Sequence, residues 1–482
     1  MFGKLFAKPP VITRDIHIFN TESGKLELFE PHSATNVKIY SCGPTVYGYA
    51  HIGNMRSYIF ADILKRTLIR NGYLINHTIN LTDFGHLTDD GDAGEDKIMK
   101  GLKREGLPIN LKSMKKLTDM YIDAFQADMD ELRILPPTTW ARASEYVKQQ
   151  INLIKTLEDK GYIYETSDGA YFDIAKFPAY GKLGNINLDE LKSGARVEVN
   201  QEKKHPADFA VWKKGELGWP SRWGTGFPGW HMECSAMAIA TLGKQIDIHT
   251  GGIDHIAVHH NAEIAQSEAA TGKTFSKYWM HNEFITIDNT KISKSLSNDI
   301  TVRHLMDRGF SGEDYRYWLL TAHYRSPVNF SWEALTGAKQ ALFRLKRHMF
   351  EEYKQKPSLP HKEYLERFDE KLAKDLDTPG AVAILWEMVK DKKLENGTKA
   401  GTLLAMDEIL DIGLSDDPTE GARSLGVVAK DDIPDEIQEL IEDRETARIA
   451  RDFAAADMLR DRLSAKGYTI EDSEHGPRVT KE

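Results

Sequence analysis

Four side chains of this sequence have the types and spacing to hold one metal ion. Cys42 and Cys234 are its only cysteines. Cys42 falls in Tyr40-Ser41-Cys42-Gly43-Pro44-Thr45, and Cys234 closes Trp230-His231-Met232-Glu233-Cys234. His259 and Glu263 are four residues apart, so on a helix they share one face and reach the same point. Two thiolates, one imidazole and one carboxylate make a tetrahedral shell, and thiolate with imidazole favours zinc. The cysteines lie too far apart in sequence for a local zinc-finger hairpin, so tertiary folding has to assemble such a shell. Blander readings stand beside this one. Isolated thiols commonly pack as small hydrophobes, a His-x-x-x-Glu pair is common on helix surfaces, and the adjacent His260 is an alternative ligand.

Two further segments suit phosphate chemistry. His51-Ile52-Gly53-Asn54 stands where a helix begins. There, free backbone amides, the positive end of the helix dipole and an imidazole donor would meet an anion, and Gly53 would let a ribose or base approach the backbone. Alone, the tetrapeptide also reads as an ordinary N-cap turn. Lys291-Ile292-Ser293-Lys294-Ser295 follows Asp288-Asn289. Two ammonium groups on a short polar loop suit charge stabilisation on a transferring phosphate, although a solvated loop has the same composition.

The elements that would position these groups alternate between strand and helix. Val37 to Ser41 reads as a strand ending at Cys42, the stretch from Arg56 to Leu68 as a helix closed by Gly72, and Tyr73 to Thr82 as the next strand. That unit fits a doubly wound parallel sheet, in which ligands bind off the carboxyl ends of the strands. From Leu107 to Leu132 and from Tyr146 to Gly161 the pattern is helical. Ser167-Asp168-Gly169 then marks a hairpin between Tyr162–Thr166 and Ala170–Asp173. Residues of about 107–228 therefore read as an insertion. The rhythm resumes near Trp230, with a strand from Gln245 to His249 opening on Thr250-Gly251-Gly252 and then a helix carrying His259 and Glu263. An α/β domain over 1–330 is expected, followed by a helical bundle over 331–414, an acidic linker over 415–434 and a small tail over 435–482.

Composition sets the outer bounds. The chain of 482 residues, 41% apolar and 28% charged, has ordinary globular usage and room for two or three domains. No long uncharged apolar run suggests a membrane span, and Met1 to Pro10 is too interrupted for a signal peptide. Cytoplasmic residence is the expectation, where reducing conditions leave both thiols available. A net charge of -10 disfavours a protein that coats nucleic acid without specificity, but not a local RNA contact.

Taken together, these segments resemble cysteinyl-tRNA synthetase, a class I aminoacyl-tRNA synthetase. His51-Ile52-Gly53-Asn54 is similar to the family's HIGH motif with Asn in the last place, and Lys291 to Ser295 to KMSKS with Ile292 for Met. Cys42 to Tyr47, Pro228 to Met237 and His259 to Ser267 match the family as well, as do segments at Asp208, Asp377-Thr378-Pro379 and Arg451 to Asp457. The resemblance implies a Rossmann-like catalytic domain with an inserted connective peptide, a helical bundle that meets the tRNA, and a C-terminal anticodon module. It also implies that cysteine is adenylated by ATP, accompanied by magnesium, and passed to the terminal adenosine of tRNA(Cys). Within that scheme His51 and Asn54 contact phosphates and Lys291 and Lys294 stabilise departing pyrophosphate. Gly53, Gly251 and Gly252 border the nucleotide. Thr82, Trp230, His249 and Asp254 line the amino-acid pocket beside one zinc ion held by Cys42, Cys234, His259 and Glu263. A monomer is expected.

Zinc would account for selectivity, since a soft cation prefers a thiolate to an alcohol, whereas a pocket separates such near-isosteres by only about a hundredfold. No editing domain is then needed. The acidic stretch from Thr82 to Lys97 is longer than the family's usual Thr-Asp-x-Asp-Asp-Lys and reads as a solvated excursion, because Glu95 stands where a calcium loop needs glycine. Arg444, Arg448 and Arg451 recur at helical spacing, as either a solvated face or an RNA contact. Two alternatives share the motifs: a ligase that passes cysteine to an amino sugar, disfavoured by the bundle and tail, and a non-catalytic RNA-binding paralogue, disfavoured by His51 and both lysines.

Overall fold

The computed structural model describes residues 13–84, 97–187, 200–287, 290–292, 299–353, 356–416, 428, 433–473 and 476–481. Lys294, the acidic run 85–96 and residues 417–427 of the expected linker lie outside the described residues.

Five parallel strands form the central sheet, in the spatial order Ser276–Asn282, Ile246–Gly252, Asn36–Ser41, Leu74–Leu81, Thr139–Arg142. Buried Val37, Ile39, Ile79, Leu81, Ile246 and Ile248 explain why these short segments become interior strands. Counted along the chain, the order is the one in which strand sequence reverses direction between the first and fourth strands. Asn36–Ser41 and Ile246–Gly252 meet there, with Tyr40 beside His249 and Ser41 beside Thr250. A crevice opens off the carboxyl ends at that reversal, and Cys42, Gly251 and Gly252 lie on it.

Helices Ile52–Arg70 and Trp230–Leu242 pack on the sheet. The first carries buried Ile52, Met55, Ile59, Ile63, Leu64 and Leu68 at helical spacing, and its chain turns out at Asn71 and Gly72, the latter at φ 93°. Thr139–Arg142 corrects one sequence expectation. It falls inside 107–228, yet it is the fifth strand of the main sheet, paired with Thr78 to Leu81. The separate part of that region is an antiparallel sheet of Ile163–Thr166, Gly169–Phe172, Phe209–Trp219 and Gly226–Pro228. Phe172 and Phe209 stack at 5.1 Å in its core, over Trp212 and Trp223.

The chain divides into two compact units, 1–335 with 369–382, and 336–368 with 383–482. The helical stretch after Trp332 therefore does not form one uninterrupted body: the segment around Asp377-Thr378-Pro379 belongs with the sheet-bearing unit. There Asp375 accepts the Phe19 amide, the Tyr324 hydroxyl and Arg325 Nε. In the second unit, helices Asp435–Ile449 and Phe453–Ala465 pack on a hairpin of Tyr468–Ser473 and Gly476–Lys481. Ile437, Leu440, Leu463, Ile470 and Val479 make its core. Arg444 is buried, its guanidinium paired with Glu445 at 2.7 Å and Asp472 at 2.9 Å. It therefore does not belong to a solvated face. No helix of the described residues is long and apolar enough to cross a membrane.

Candidate active site and metal centre

A cavity of about 520 Å³ occupies the crevice, lined by Cys42, His51, Gly53, Asn54, Trp230, Gly251, Gly252, Asp254 and Ile292. Its volume falls in the range of small-molecule sites. The cavity thus brings Cys42, Trp230 and Asp254 together with His51, Gly53 and Asn54.

His51, Gly53 and Asn54 belong to the N-terminus of helix Ile52–Arg70. His51 is the N-cap, with φ -88° and ψ 163°, and its side chain accepts the Asn54 amide. Neighbouring chain is stitched to this turn: Ile52 N donates to Ile300 O at 2.8 Å, and Tyr315 OH donates to Ile52 O at 2.8 Å. Two glycines here leave little space for a side chain. A Cβ on Gly53 would lie 3.0 Å from His51 Nδ1 and 3.1 Å from Ile292 Cδ1, and one on Gly251 would lie 2.7 Å from His255 Nδ1. Lys291 ends the two-residue strand Thr290–Lys291, paired with Ile285–Ile287, whose flank Phe284–Ile285 also borders the cavity.

Cys42 also belongs to the cluster expected to bind metal. One ligand atom from each of Cys42, Cys234, His259 and Glu263 lies within 4.8 Å of every other, and all four residues are buried. Cys234 reaches it from helix Trp230–Leu242 and Glu263 from helix Asn261–Thr271. His259 corrects another expectation. It precedes that helix in the wider turn Ile256–His260, but the four-residue offset still delivers His259 Nε2 to within 3.1 Å of Glu263 Oε1.

The charges of the cluster are mutually dependent. A hydrogen bond from Cys42, opposed by burial, pulls the Cys234 thiol down to about 6. Burial, then Cys234 itself, holds the Cys42 thiol well above its usual value. Burial works against a charged His259, but hydrogen bonds with Cys234 and Glu263 push it up to about 10. Glu263 comes down to about 2 against its own burial, through His249 and His259. A thiolate and a carboxylate thus converge on one positive charge, which is the electrostatic demand a cation meets. The donor set fits zinc: soft sulfur, imidazole and one carboxylate oxygen.

The remaining expected pocket residues stand deeper. His249 is fully buried, its Nε2 3.0 Å from Glu263 Oε2 and its ring stacked on Trp279 at 4.6 Å. Thr82, 1% exposed, donates to Glu233 Oε2 at 2.8 Å and accepts from Asn80 Nδ2 at 3.3 Å. Neither side chain lines the cavity itself among the described residues. Sequence reasoning did not single out two members of this layer. His231 meets His259 Nδ1 through its own Nδ1 at 2.8 Å, and Glu233 holds Thr82. His231 lies three residues before Cys234, so helical spacing was an available signal for it, whereas Glu233, adjacent to Cys234, had none.

Comparison with known proteins now bears on this geometry. The family model described as "tRNA synthetases class I (C) catalytic domain" matches residues 28–340, and "Cysteinyl-tRNA ligase anticodon binding domain" matches residues 423–478. The chain belongs to the cysteinyl-tRNA synthetase family. A cysteine--tRNA ligase 1 of Burkholderia lata is 42% identical over 469 residues, 96% of each chain. A cysteine--tRNA ligase of Treponema denticola is 41% identical over 487 residues, 95% of this chain and 98% of its own. Among solved structures, a Mycobacterium tuberculosis methionyl-tRNA synthetase in complex with methionyl-adenylate has a TM-score of 0.55 at 14% identity, covering 82% of this chain and 95% of that one. A LeuRS of Agrobacterium radiobacter has a TM-score of 0.58 at 11% identity, covering 83% and 86%. These two likenesses establish the class I fold of this cysteinyl-tRNA synthetase family member and no more.

Proposed function

We propose that this chain activates L-cysteine with ATP and then charges tRNA(Cys), holding one zinc ion on Cys42, Cys234, His259 and Glu263. The observation that carries the reading is the convergence of those four donors within 4.8 Å, behind one wall of a cavity whose other wall is the His51–Asn54 helix start. Zinc bound there would offer a soft Lewis acid to the substrate sulfur, and so a basis for rejecting serine.

Asp254 and Trp230 border the amino-acid end of the cavity. A carboxylate there attracts the substrate ammonium, while Thr82, held by Asn80 and Glu233, and His249 act from the layer beneath the lining residues. This presents the substrate carboxylate toward the nucleotide. One carboxylate oxygen attacks the α-phosphorus of ATP; a new oxygen–phosphorus bond forms as the bond to pyrophosphate breaks. His51 and the amides of the first helical turn bind phosphate oxygens, Gly53, Gly251 and Gly252 leave room for the nucleoside, and Lys291 and Lys294 meet the charge that gathers on pyrophosphate, which magnesium arriving with ATP would help to neutralise. A ribose hydroxyl of the terminal adenosine then attacks the activated carbonyl. Its proton is lost, the ester bond forms, and AMP leaves with the electrons of the mixed anhydride bond.

The C-terminal module, 435–482, would read the anticodon, and the helices of the second unit that precede it, within 336–368 and 383–414, would meet the tRNA stem. The decisive assay is amino-acid-dependent ATP–pyrophosphate exchange followed by transfer to tRNA(Cys). Exchange with cysteine at more than about a hundredfold the rate with serine is expected, that ratio being what an ordinary pocket supplies unaided. Equal rates would remove the zinc selection; exchange with no tRNA charging would point to a non-tRNA acceptor.

A further inference from the structure

One guanidinium ties the helix that begins after His51 to the strands that lead to Lys291. Arg56, 3% exposed, stands just past the first turn of helix Ile52–Arg70. Its Nη1 donates to Phe284 O at 2.7 Å, and its Nη2 donates to Ser326 O at 2.6 Å and to His323 O and Tyr324 O, both at 3.2 Å. The outermost of these acceptors stand at the entrances of two neighbouring strands. Phe284 precedes Ile285–Ile287, and Ser326 lies two residues before Val328–Phe330, which pairs with that strand in parallel, Ile285 opposite Val328. Ile285–Ile287 pairs in turn with Thr290–Lys291, Thr286 opposite Lys291. The far end of the same stretch returns to the same helix start: Ile300 O accepts the Ile52 amide at 2.8 Å, and Thr301 forms a bridge with His51. Residues 285–299, Lys291 among them, are thus attached to one helix at both ends, in front through Arg56 and behind through Ile52.

We infer that Arg56 is a positioning residue for the activation step: by clamping Phe284 and Ser326 to the helix, it sets Lys291 relative to His51, so that both meet the phosphates of one ATP. The inference rests on the reading of His51 and Lys291 as phosphate contacts. The chemistry of the clamp supports it. Burial pulls the guanidinium down to about 10, which leaves it charged at neutral pH. Its printed partners among the described residues are main-chain carbonyls, with no carboxylate hydrogen-bonded to it, and a buried charge held this way costs more than an apolar side chain of the same size. The backbone does not demand that cost in full. Phe284 O also accepts the Val328 amide at 3.2 Å, and Tyr324 O accepts the Glu283 amide at 2.9 Å, so two of the four carbonyls have partners without Arg56. What the guanidinium adds is geometry: a planar fork reaches carbonyls of two separate segments at once, whereas a lysine ammonium puts all its donors on one atom.

Two variants of the full chain test this, and whichever folds is decisive. Arg56→Lys keeps the charge and loses the fork; Arg56→Met fills similar space with no buried charge, an exchange that buried ionic sites often tolerate. Two rates are measured on each. The kcat of cysteine-dependent ATP–pyrophosphate exchange is expected to fall about ten- to a hundredfold, the loss that a small displacement of a reacting group produces. The rate of transfer from enzyme-bound cysteinyl-adenylate to tRNA(Cys) is expected to stay at the parent value, because pyrophosphate has already left and Lys291 has no further charge to meet. The adenylate is loaded with inorganic pyrophosphatase present, so slow activation does not limit the second measurement. Equal falls in both rates, or an unchanged exchange rate, overturn the positioning role. Failure of both variants to fold overturns it as well, by making Arg56 a structural residue only. An unaltered chain without cysteine-dependent exchange overturns the proposed reaction itself, and this inference with it.

Discussion

His51 and Asn54 cap each other across the first turn of helix Ile52–Arg70. His51 Nδ1 accepts the Asn54 amide at 3.2 Å while Asn54 Oδ1 accepts the His51 amide at 3.2 Å. With Nδ1 committed as acceptor, the neutral imidazole carries its proton on Nε2 and is aimed as a donor. Asn54 thus sets the ring that precedes it. Asn54→Ala removes one half of this box, costing the helix start about 1 kcal/mol and loosening the ring. The rate of ATP–pyrophosphate exchange is expected to fall about tenfold, the equivalent of about 1.4 kcal/mol of barrier, and Asn54→Gln, which restores a carboxamide, recovers most of it. Exchange kinetics beside a thermal melt check this; an alanine variant with a lower Tm and undiminished exchange would show that the cap is structural only.

Much of this arrangement was legible beforehand, for identifiable reasons. The strand Asn36–Ser41, the helix after His51 and the strand Leu74–Leu81 are local patterns, each with its own period and its own Gly72 or Cys42 boundary. The metal set was legible only through the order of motifs, because Cys42 and Cys234 are united by strand order and no spacing rule spans them. Thr139–Arg142 escaped notice because four residues between helical stretches show no period, and its partner Leu74–Leu81 supplies the pairing. The turn at Ile256–His260 escaped because helical spacing alone does not separate it from the helix that follows. Arg444 looked like one arginine of a surface stripe until Asp472, on the hairpin beyond, covered it.

His231 tests how much the layer behind the ligands matters. Its contact with His259 Nδ1 leaves His259 Nε2 directed at Glu263, the arrangement by which an outer partner fixes a ligating ring. His231→Ala should weaken zinc about 10–100-fold while leaving the number of ions at saturation unchanged. Competition against a chromophoric chelator measures this, and added zinc should restore cysteine activation. Unchanged affinity would show that helix packing alone orients His259.

Asp62 anchors the helix that carries His51. Fully buried, it accepts Arg66 Nε at 2.8 Å and the Leu135 amide at 2.9 Å, and it pairs with the equally buried Arg316. Asp62→Ala strands the Arg316 guanidinium, and breaking a buried pair from one side costs about 3–5 kcal/mol. Denaturant unfolding gives the loss directly. A cost under about 1 kcal/mol, the range of exposed pairs, would mean that the carbonyls of Leu132 and Arg133, which also receive this guanidinium, suffice.

Asp128 gives the sheet-bearing unit a pH dependence of its own. Burial, and then the neighbouring Glu131, push its carboxyl from an ordinary value of 3.8 up to about 7. The folded chain therefore prefers the protonated form. Below pH 4, folded and unfolded chains both hold the proton and the residue is neutral in its effect on stability. As pH rises from 4 to 7, the unfolded chain releases the proton readily and the folded chain does not, so folding loses stability across that window and the loss is complete above it. Asn at this position keeps the shape without the titration. Asp128→Asn should match the parent near pH 4, exceed it near pH 8, and gain most of the difference between those limits. Denaturant midpoints across that range decide it, and because every other titrating group is common to both chains, a difference that stays flat with pH would place the Asp128 carboxyl in water.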